Sequence, residues 1–536
     1  IMDHAKTLST HLMNLQNNAH SLIKMYVIIL AVMIGALALR PEPYAMAAPL
    51  IDDGYYAFSV SRNIALGKGI TIDGEHLTNG FQPLFVFLTI PLFLIAGEDR
   101  MLAVRFVVGF QWFVYLSSAY VLALLVRDFL APQSENKRKL AFYLTMFVYL
   151  VSLHILLNYL NGLETGLTLF MYLLVWRFYQ TGREKTLIGL LVFGMILGLL
   201  VLTRIDAAIF VVVFTLFYLV SRLREGLFSA FQRATFLGIT ALLVSSPWWF
   251  FNLTQFGALL PSSGQALQVG SGSFYESTME MRVRYALTAL LKNTMPAAYF
   301  GNLDENIFCD LIRLVLTIVV IALAWRLCKT FVVQAANNTL SVAQRRTIYF
   351  GLCLLLFSVL LIIWYTTQLV AGWFYDRYFT PISLLSAIII VLVLRWLFTR
   401  LPRISLALCS VLALISIGLL GLSHFGKSFT GESYWNQISL VSDYVPSDAV
   451  VGAPQSGTLG YFRDRIVNLD GKVNTDVFDY IESGTAWQYL QEQNIEWVSD
   501  AVDPVRLLFR GQPEQFGWQL VDVRGNFLLY HHIEGS

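Results

Sequence analysis

The stretch Asp52-Asp53-Gly54-Tyr55-Tyr56-Ala57-Phe58-Ser59-Val60-Ser61-Arg62-Asn63-Ile64-Ala65-Leu66-Gly67-Lys68-Gly69 puts two adjacent carboxylates just after the first hydrophobic span of a mostly apolar chain. Ionised groups beside a bilayer are costly to dehydrate, so a pair placed there faces water, a metal or a substrate rather than lipid. Tyr56, Val60 and Ile64 recur at i, i+4 and i+8, which predicts a short helix lying on the bilayer surface and stopping at the Gly67 turn. Both acids then sit at its N-terminus. There the helix dipole favours the charged form, while mutual repulsion opposes losing both protons. One carboxylate can take a proton from a hydroxyl while its neighbour holds a cation or positions a ligand; a helix N-cap with one extra surface acid has the same spacing.

The rest of the chain sets these acids in a membrane. Of 536 residues, 56% are hydrophobic and only 13% charged, against about a quarter charged in soluble domains. With a mean hydropathy of +0.61, the composition is that of an α-helical polytopic membrane protein. The net charge of +2 comes from Lys and Arg scattered through short loops between apolar spans, so no basic face for nucleic acid emerges. Cys309, Cys328, Cys353 and Cys409 lie in or beside apolar segments without metal-ligand or redox spacing, which assigns them to packing. No zinc motif, phosphate-binding glycine loop or Ser-His nucleophile stands out.

A hydrocarbon core of roughly 30 Å needs about 20 helical residues. Spans read at 25–40, 101–126, 139–157, 163–180, 187–202, 205–222, 235–252, 310–328, 347–367, 379–398 and 403–422. The first, preceded by Lys24 and lacking a cleavage pattern, reads as a retained anchor. Segment 82–97 is short and carries Pro83 and Pro91. Lys137 to Lys139, Arg183 and Lys185, Arg222 to Arg233, Arg345 and Arg346, and Arg395 to Arg403 occupy alternate loops, which the positive-inside rule places in the cytoplasm. That orientation holds throughout if 82–97 is re-entrant or interfacial, leaving about eleven transmembrane helices. Residues 1–422 thus form a transmembrane domain with an external loop at 41–81. Residues 423–536 have no spanning segment and alternate strand-like stretches such as Phe527-Leu528-Leu529-Tyr530 with turn signals, which predicts a small soluble α/β C-terminal domain outside the membrane. Loop 253–309, rich in Gly and Ser around Gly270 to Ser273, has the length of a lid or binding loop.

The run from Asp52 to Gly69, followed by Glu75, Thr78, Asn79, Gly80 and Pro83, resembles the first external loop of polytopic glycosyltransferases of the C-type fold (GT-C). The similarity is to bacterial arabinofuranosyltransferase-like enzymes and, more distantly, to protein mannosyltransferases. Further landmarks follow in order: Asn161-Gly162-Leu163-Glu164-Thr165, Leu202-Thr203-Arg204-Ile205-Asp206, Pro247-Trp248-Trp249 with Phe256-Gly257-Ala258-Leu259-Leu260-Pro261, and Asp376-Arg377-Tyr378 with Pro381. In the C-terminal part, Gly457 to Phe462 and Asn468 to Asn474 are also similar. The resemblance implies a polyprenyl-phosphate-linked sugar donor, a glycan, lipid or protein acceptor, and transfer on the external face of a bacterial inner membrane. It also implies that the first acid of the loop is the base, hence Asp52, with Asp53 as alternate and as a possible ligand of a divalent cation, Mg or Mn.

A departing phosphate gathers negative charge and needs cations aimed at it. Arg204 and Arg377 are the main candidates, because each lies at a predicted external helix end and a guanidinium can bind phosphate through two hydrogen bonds. Each also has a structural alternative, pairing with Asp206 or Asp376. Arg62, Lys68 and His76 are further phosphate candidates, with solvent or lipid headgroups as competing neighbours. Glu164, Asp206 and Tyr55 are candidates for orienting substrate. Trp248, Trp249 and Trp373 fit an interfacial aromatic belt or a sugar platform. Two other readings fit such a chain: a lipid or sugar transporter, which also needs intramembrane charge, and a noncatalytic membrane assembly partner.

Overall fold

The computed structural model describes residues 2–130, 135–261, 263–264, 278–298, 306–337, 339–369, 372–424 and 434–533. In chain order the main helices begin with α1 (Met2–Ala36), α2 (Asp52–Ala65), α3 (Pro83–Ala96), α4 (Arg100–Phe129), α5 (Glu135–Leu150), α6 (Leu153–Tyr159), α7 (Thr165–Thr181) and α8 (Leu187–Thr203). They continue with α9 (Ala207–Arg222), α10 (Leu227–Phe256), α11 (Met279–Thr294), α12 (Ile307–Ala336), α13 (Val342–Gln368), α14 (Tyr375–Tyr378), α15 (Pro381–Arg400) and α16 (Pro402–His424). Among the described residues eight helices are long and apolar enough to cross a membrane, nine when α5 and α6, bent by 69°, count as one span. Helices α3 and α8 are apolar but shorter. Each span read from the sequence falls on a helix, and 82–97 forms the 14-residue α3, about 21 Å long at 1.5 Å per residue.

Local chemistry fixes the ends. Asp99 caps α4 by accepting from Leu102 N at 2.8 Å, Thr186 caps α8 through Gly189 N at 3.0 Å, and Ser341 with Gln344 forms a capping box on α13. Each cap satisfies amides that a helix start leaves without intrahelical partners. The apolar bundle core joins α1, α4, α5, α7, α8, α9, α13 and α15. Helix α11 rises inside the stretch read as a long loop; its Gly270 to Ser273 portion lies outside the described residues. Cys309, Cys353 and Cys409 are buried free thiols, and the Cys328 side chain is outside the described set.

After α17 (Trp435–Tyr444) comes a five-stranded sheet of β1 (Val451–Ala453), β2 (Ile466–Asn468), β3 (Trp497–Ala501), β4 (Trp518–Arg524) and β5 (Phe527–His532), ordered β2-β1-β3-β5-β4. Strands β1, β2 and β3 are parallel, and β5 runs antiparallel to both β3 and β4. Period-two alternation divides β5: Phe527 and Leu529 enter one small core, Tyr530 and Leu528 the other. Short α18 (Gly457–Phe462) follows β1 and packs on α2.

That packing changes the setting of α2. Amphipathic spacing predicts a helix lying on the surface, yet most of its 14 residues are buried, enclosed by α3 on one side and α18 on another. Gly54 makes this possible: a Cβ there would stand 2.8 Å from the Asn161 carbonyl oxygen and 2.9 Å from Gly162 Cα. Gly162 itself has φ of +84°, a conformation a side chain disfavours.

Candidate active site

Consecutive helical residues diverge by about 100°, so the two acids at the start of α2 meet different neighbours. Asp52 turns towards the C-terminal sheet region. Its Oδ2 accepts from Gly457 N at 3.0 Å, and its Oδ1 accepts from Thr458 N at 2.6 Å and Thr458 Oγ1 at 2.8 Å. Gly457 has no room for a Cβ, which would run into the Asp52 carbonyl oxygen. Burial pushes the Asp52 carboxyl up to about 6, against the opposing pull of these donors. A value near neutrality suits a base, but a base must reach the reacting proton, and all three donors belong to one neighbouring turn.

Asp53 turns the other way, into a cavity of about 580 Å³ that Asp52 does not line. Its Oδ2 accepts from Arg377 at 3.1 Å, and its Oδ1 lies 3.5 Å from Lys472 Nζ. Although burial opposes it, the charges of Lys472 and Arg377 hold this carboxyl below its ordinary value. Arg377 comes from the single turn α14; its guanidinium lies 4.5 Å over Phe374 and 5.3 Å over Tyr378, and its Nε donates to no described residue.

A second ionic group lines the same cavity. Arg204, at the C-terminal end of α8, contacts Asp206 at 2.5 Å and Glu164, at the start of α7, at 3.2 Å. Tyr365 donates to Asp206 at 2.8 Å and stacks on Tyr378 at 4.4 Å, with Arg204 4.6 Å over the Tyr378 ring. Three cations and three carboxylates thus converge. The rest of the lining is largely apolar, with Phe81, Phe85, Ile209, Trp249, Leu260 and Trp364. The chamber thus combines a charged group with a mostly apolar lining.

Of the residues singled out in the sequence, Asp53, Glu164, Arg204, Asp206 and Arg377 meet here. The expected Arg204–Asp206 pair forms, whereas Arg377 leaves Asp376 to Lys292, 2.7 Å away, and pairs with Asp53 instead. Tyr55 is in the core, donating to Met46 O at 2.8 Å, and its neighbour Tyr56 lines the cavity. Arg62 pairs with Glu98 at 3.0 Å, and His76 with Asp73 at 2.6 Å, which raises the His76 pKa. Arg62 and Lys68 line a separate small crevice beside α18, and neither they nor His76 line the main cavity. Trp248 is buried beside Phe81, Trp249 lines the cavity, and the Trp373 side chain is outside the described set.

Two contributors had no assigned role. Lys472 belongs to the Asn468–Asn474 run, where it stands beside Asp470 among turn residues, and Tyr365 sits inside an apolar span. The cation option fits poorly. Among the described residues no group of three or more His, Cys, Asp or Glu side chains is arranged to hold a metal, and Asp53 is flanked by two cations that would repel one.

No family model matches the sequence, and no curated protein matches it either. Solved structures do. ArnT from Cupriavidus metallidurans, bound to undecaprenyl phosphate, aligns with a TM-score of 0.59 at 10% identity, over 96% of this chain and 98% of that one. The fold is that of ArnT. The apo state of the same protein aligns at 0.57 with 12% identity and equal coverage. A looser likeness, at 0.48 and 13% identity, covers 90% of this chain and 69% of the oligosaccharyltransferase AglB from Archaeoglobus fulgidus. ArnT-like architecture over nearly the full length bears out the C-type fold that the motifs resemble and the polytopic helical fold read from composition and hydropathy.

Proposed function

We propose that the protein is a membrane glycosyltransferase that moves a sugar from a polyprenyl-phosphate donor to a glycan, lipid or protein acceptor, at the extracytoplasmic face of a bacterial inner membrane. The observation that carries this reading is the mixed lining of the cavity: Asp53, Arg377 and Arg204 share it with aromatic and aliphatic side chains. A phosphate esterified to an isoprenoid has the same mixed character, a charged group on an apolar chain. The ArnT structure of like fold holds undecaprenyl phosphate, which supports the donor class. Nucleotide sugars are not normally available outside the cytoplasm, so a lipid-borne donor suits a site at the membrane surface.

In this reading Asp53, rather than Asp52, takes the proton from the acceptor hydroxyl, because it is the acid that lines the cavity. Arg377, which lines the cavity beside Asp53, receives the phosphate. Arg204, fixed by Glu164 and Asp206, is a second guanidinium at the cavity, and Trp249 offers the sugar a ring face. One base and one leaving group make a single displacement, which inverts the anomeric carbon. Asp52 serves as the anchor for the turn at Gly457 and Thr458, and the C-terminal α/β region as a cover over α2.

The deciding experiment compares Asp53→Asn with Asp52→Asn in transfer from undecaprenyl-phosphate-linked arabinofuranose and mannose. Asp53→Asn should abolish transfer while the protein still folds, and Asp52→Asn should retain it. Full activity in Asp53→Asn would overturn the assignment, and loss only in Asp52→Asn would restore the first acid as the base.

A further inference from the structure

Lys472 reaches the cavity from the loop after β2, a part of the chain remote in sequence from every other charge there. Its position is built rather than accidental. The Lys472 amide donates to Asp470 Oδ1 at 3.0 Å, Gly471 turns the chain at φ of +77°, and Asn474 Nδ2 ties the loop back to the Asn468 carbonyl at 2.9 Å. The side chain is only 11% exposed, and its Nζ lies 3.1 Å from Asp470, 3.5 Å from Asp53 and 5.6 Å over the Phe374 ring that also carries Arg377. Asp53 therefore has one oxygen towards each of two fixed cations.

The transfer chemistry changes where the negative charge sits. The acceptor O–H bond breaks and its proton passes to Asp53, while the acceptor oxygen bonds the anomeric carbon. The bond from that carbon to the phosphate oxygen breaks, and its electron pair stays on the phosphate. A diester carrying one charge becomes a monoester carrying about two. Asp53 loses one charge as the phosphate gains one, at cations that stay in place. Before transfer Arg377 and Lys472 are balanced by Asp53 and Asp470; afterwards they have one positive charge in excess, matching the charge the phosphate has gained.

We propose that Lys472 is a catalytic residue, a counterion held by Asp53 before transfer and by the departing phosphate after it. This rests on the glycosyltransferase reading above and extends it, because it makes the C-terminal sheet region part of the catalytic centre. It also has Asp53 and the phosphate compete for the same two cations, so the acid is released as a base only when the donor is in place.

The test uses full-length protein in nanodiscs with undecaprenyl phosphate as the probe. Lys472→Gln should weaken its binding about tenfold, the scale of one lost hydrogen bond to a charged group, and Lys472→Arg should restore most of it. Asp53→Asn should tighten binding several-fold, since the phosphate no longer competes for Arg377 and Lys472. A structural role for Lys472 predicts that this gain comes through Arg377 alone and is the same when Lys472→Gln is added to Asp53→Asn. In transfer assays Lys472→Gln should move the acid limb of the pH profile upwards, because Asp53 has lost one of the charges that favour its ionised form. Unfolding midpoints show whether each variant is folded, and Lys472→Arg serves should Lys472→Gln fail to fold. Weaker binding in Asp53→Asn, or undiminished binding and an unmoved acid limb in Lys472→Gln, would overturn the proposal alone. Wild-type protein that neither binds undecaprenyl phosphate nor transfers sugar would overturn the glycosyltransferase reading and this one with it.

Discussion

Two buried ionic clusters sit at opposite ends of the antiparallel pair α7 and α8. At one end Glu164 meets Arg204, which also holds Asp206. At the other Glu184, fully buried, accepts from Arg222 at 3.2 Å and pairs with Arg346 at 2.8 Å, while Arg233 donates to its carbonyl oxygen. The chemistry is the same, carboxylate against guanidinium. What differs is the surroundings. Only the first cluster lines the large cavity, which Asp53, Arg377 and Lys472 also line. A buried charge pair is thus weak evidence for function until a space adjoins it in which a ligand could use the charge. Glu184 and its arginines tie α7, α9, α10 and α13 together, and a tie needs no cavity.

The largest effect should come from the acid that separates the two ends. Asp53→Asn should lower transfer by about 10³-fold, within the range for a lost general base, and should cost less stability than the loss of Glu184, because Arg377 and Lys472 line the cavity and Lys472 keeps Asp470. A midpoint that falls as far as on loss of Glu184 would make Asp53 another tie and erase the contrast. The second experiment makes the same substitution at both ends. Glu184→Gln leaves two guanidinium groups facing a neutral amide in a closed interior and should cost about 3–5 kcal/mol of stability, with transfer per folded molecule unchanged. Glu164→Gln should cost far less stability, since Arg204 keeps Asp206 and the Tyr378 ring, while lowering transfer about tenfold. Thermal unfolding in detergent beside initial rates reads both; matching profiles at the two ends would break the comparison.

How far this was legible in the sequence follows from where each charge lies. Glu164, Arg204, Asp206 and Arg377 stand at the edges of apolar spans, where a charge is conspicuous, and Asp53 opens the first polar stretch; all five reach one cavity. Helical period alone would have separated Arg62 from them, since nine residues at about 100° each carry it half a turn away from Asp53. Lys472 lies in a polar setting where one more lysine attracts no notice, and its place depends on a contact 419 residues away. The enclosure of α2 was equally hidden. Tyr56 and Val60 mark a buried stripe, but nothing local shows that a second partner, α18, covers the remaining face. The bundle was readable because apolar length alone reports it, whereas the docking of the sheet region is tertiary.

That docking has a signature in pH. The Asp52 carboxyl is raised to about 6 in the folded protein, so the folded state holds its proton more tightly than the unfolded chain. The resulting stabilisation is fully present below about pH 4 and is lost as pH rises through 6. Asp53, with its value lowered, runs the other way and loses its contribution as pH falls. Asn at position 52 cannot titrate. The stability lead of wild type over Asp52→Asn should therefore shrink between pH 4 and 6, by up to about 3 kcal/mol, as measured by denaturant unfolding at each pH. A constant lead would mean that Asp52 stays ionised throughout and that its buried contacts do not raise it.

The smallest and sharpest change is Tyr365→Phe. Its hydroxyl donates to Asp206 at 2.8 Å and accepts from Arg204 at 3.4 Å, while its ring stacks on Tyr378. Removing the oxygen keeps the stack and withdraws one neutral donor from a carboxylate that also binds Arg204. Asp206 should then draw Arg204 closer and leave less of its charge for the cavity. The cost is about 1 kcal/mol, the net value of one hydrogen bond, or about fivefold in transfer. Because Arg204 and not Asp53 is affected, the loss should be the same at every pH, with the acid limb unmoved. An acid limb that shifted with Tyr365→Phe would mean that the two ionic groups of the cavity titrate as one, and the contrast between the ends of α7 and α8 would then involve the whole network rather than a pair at each end.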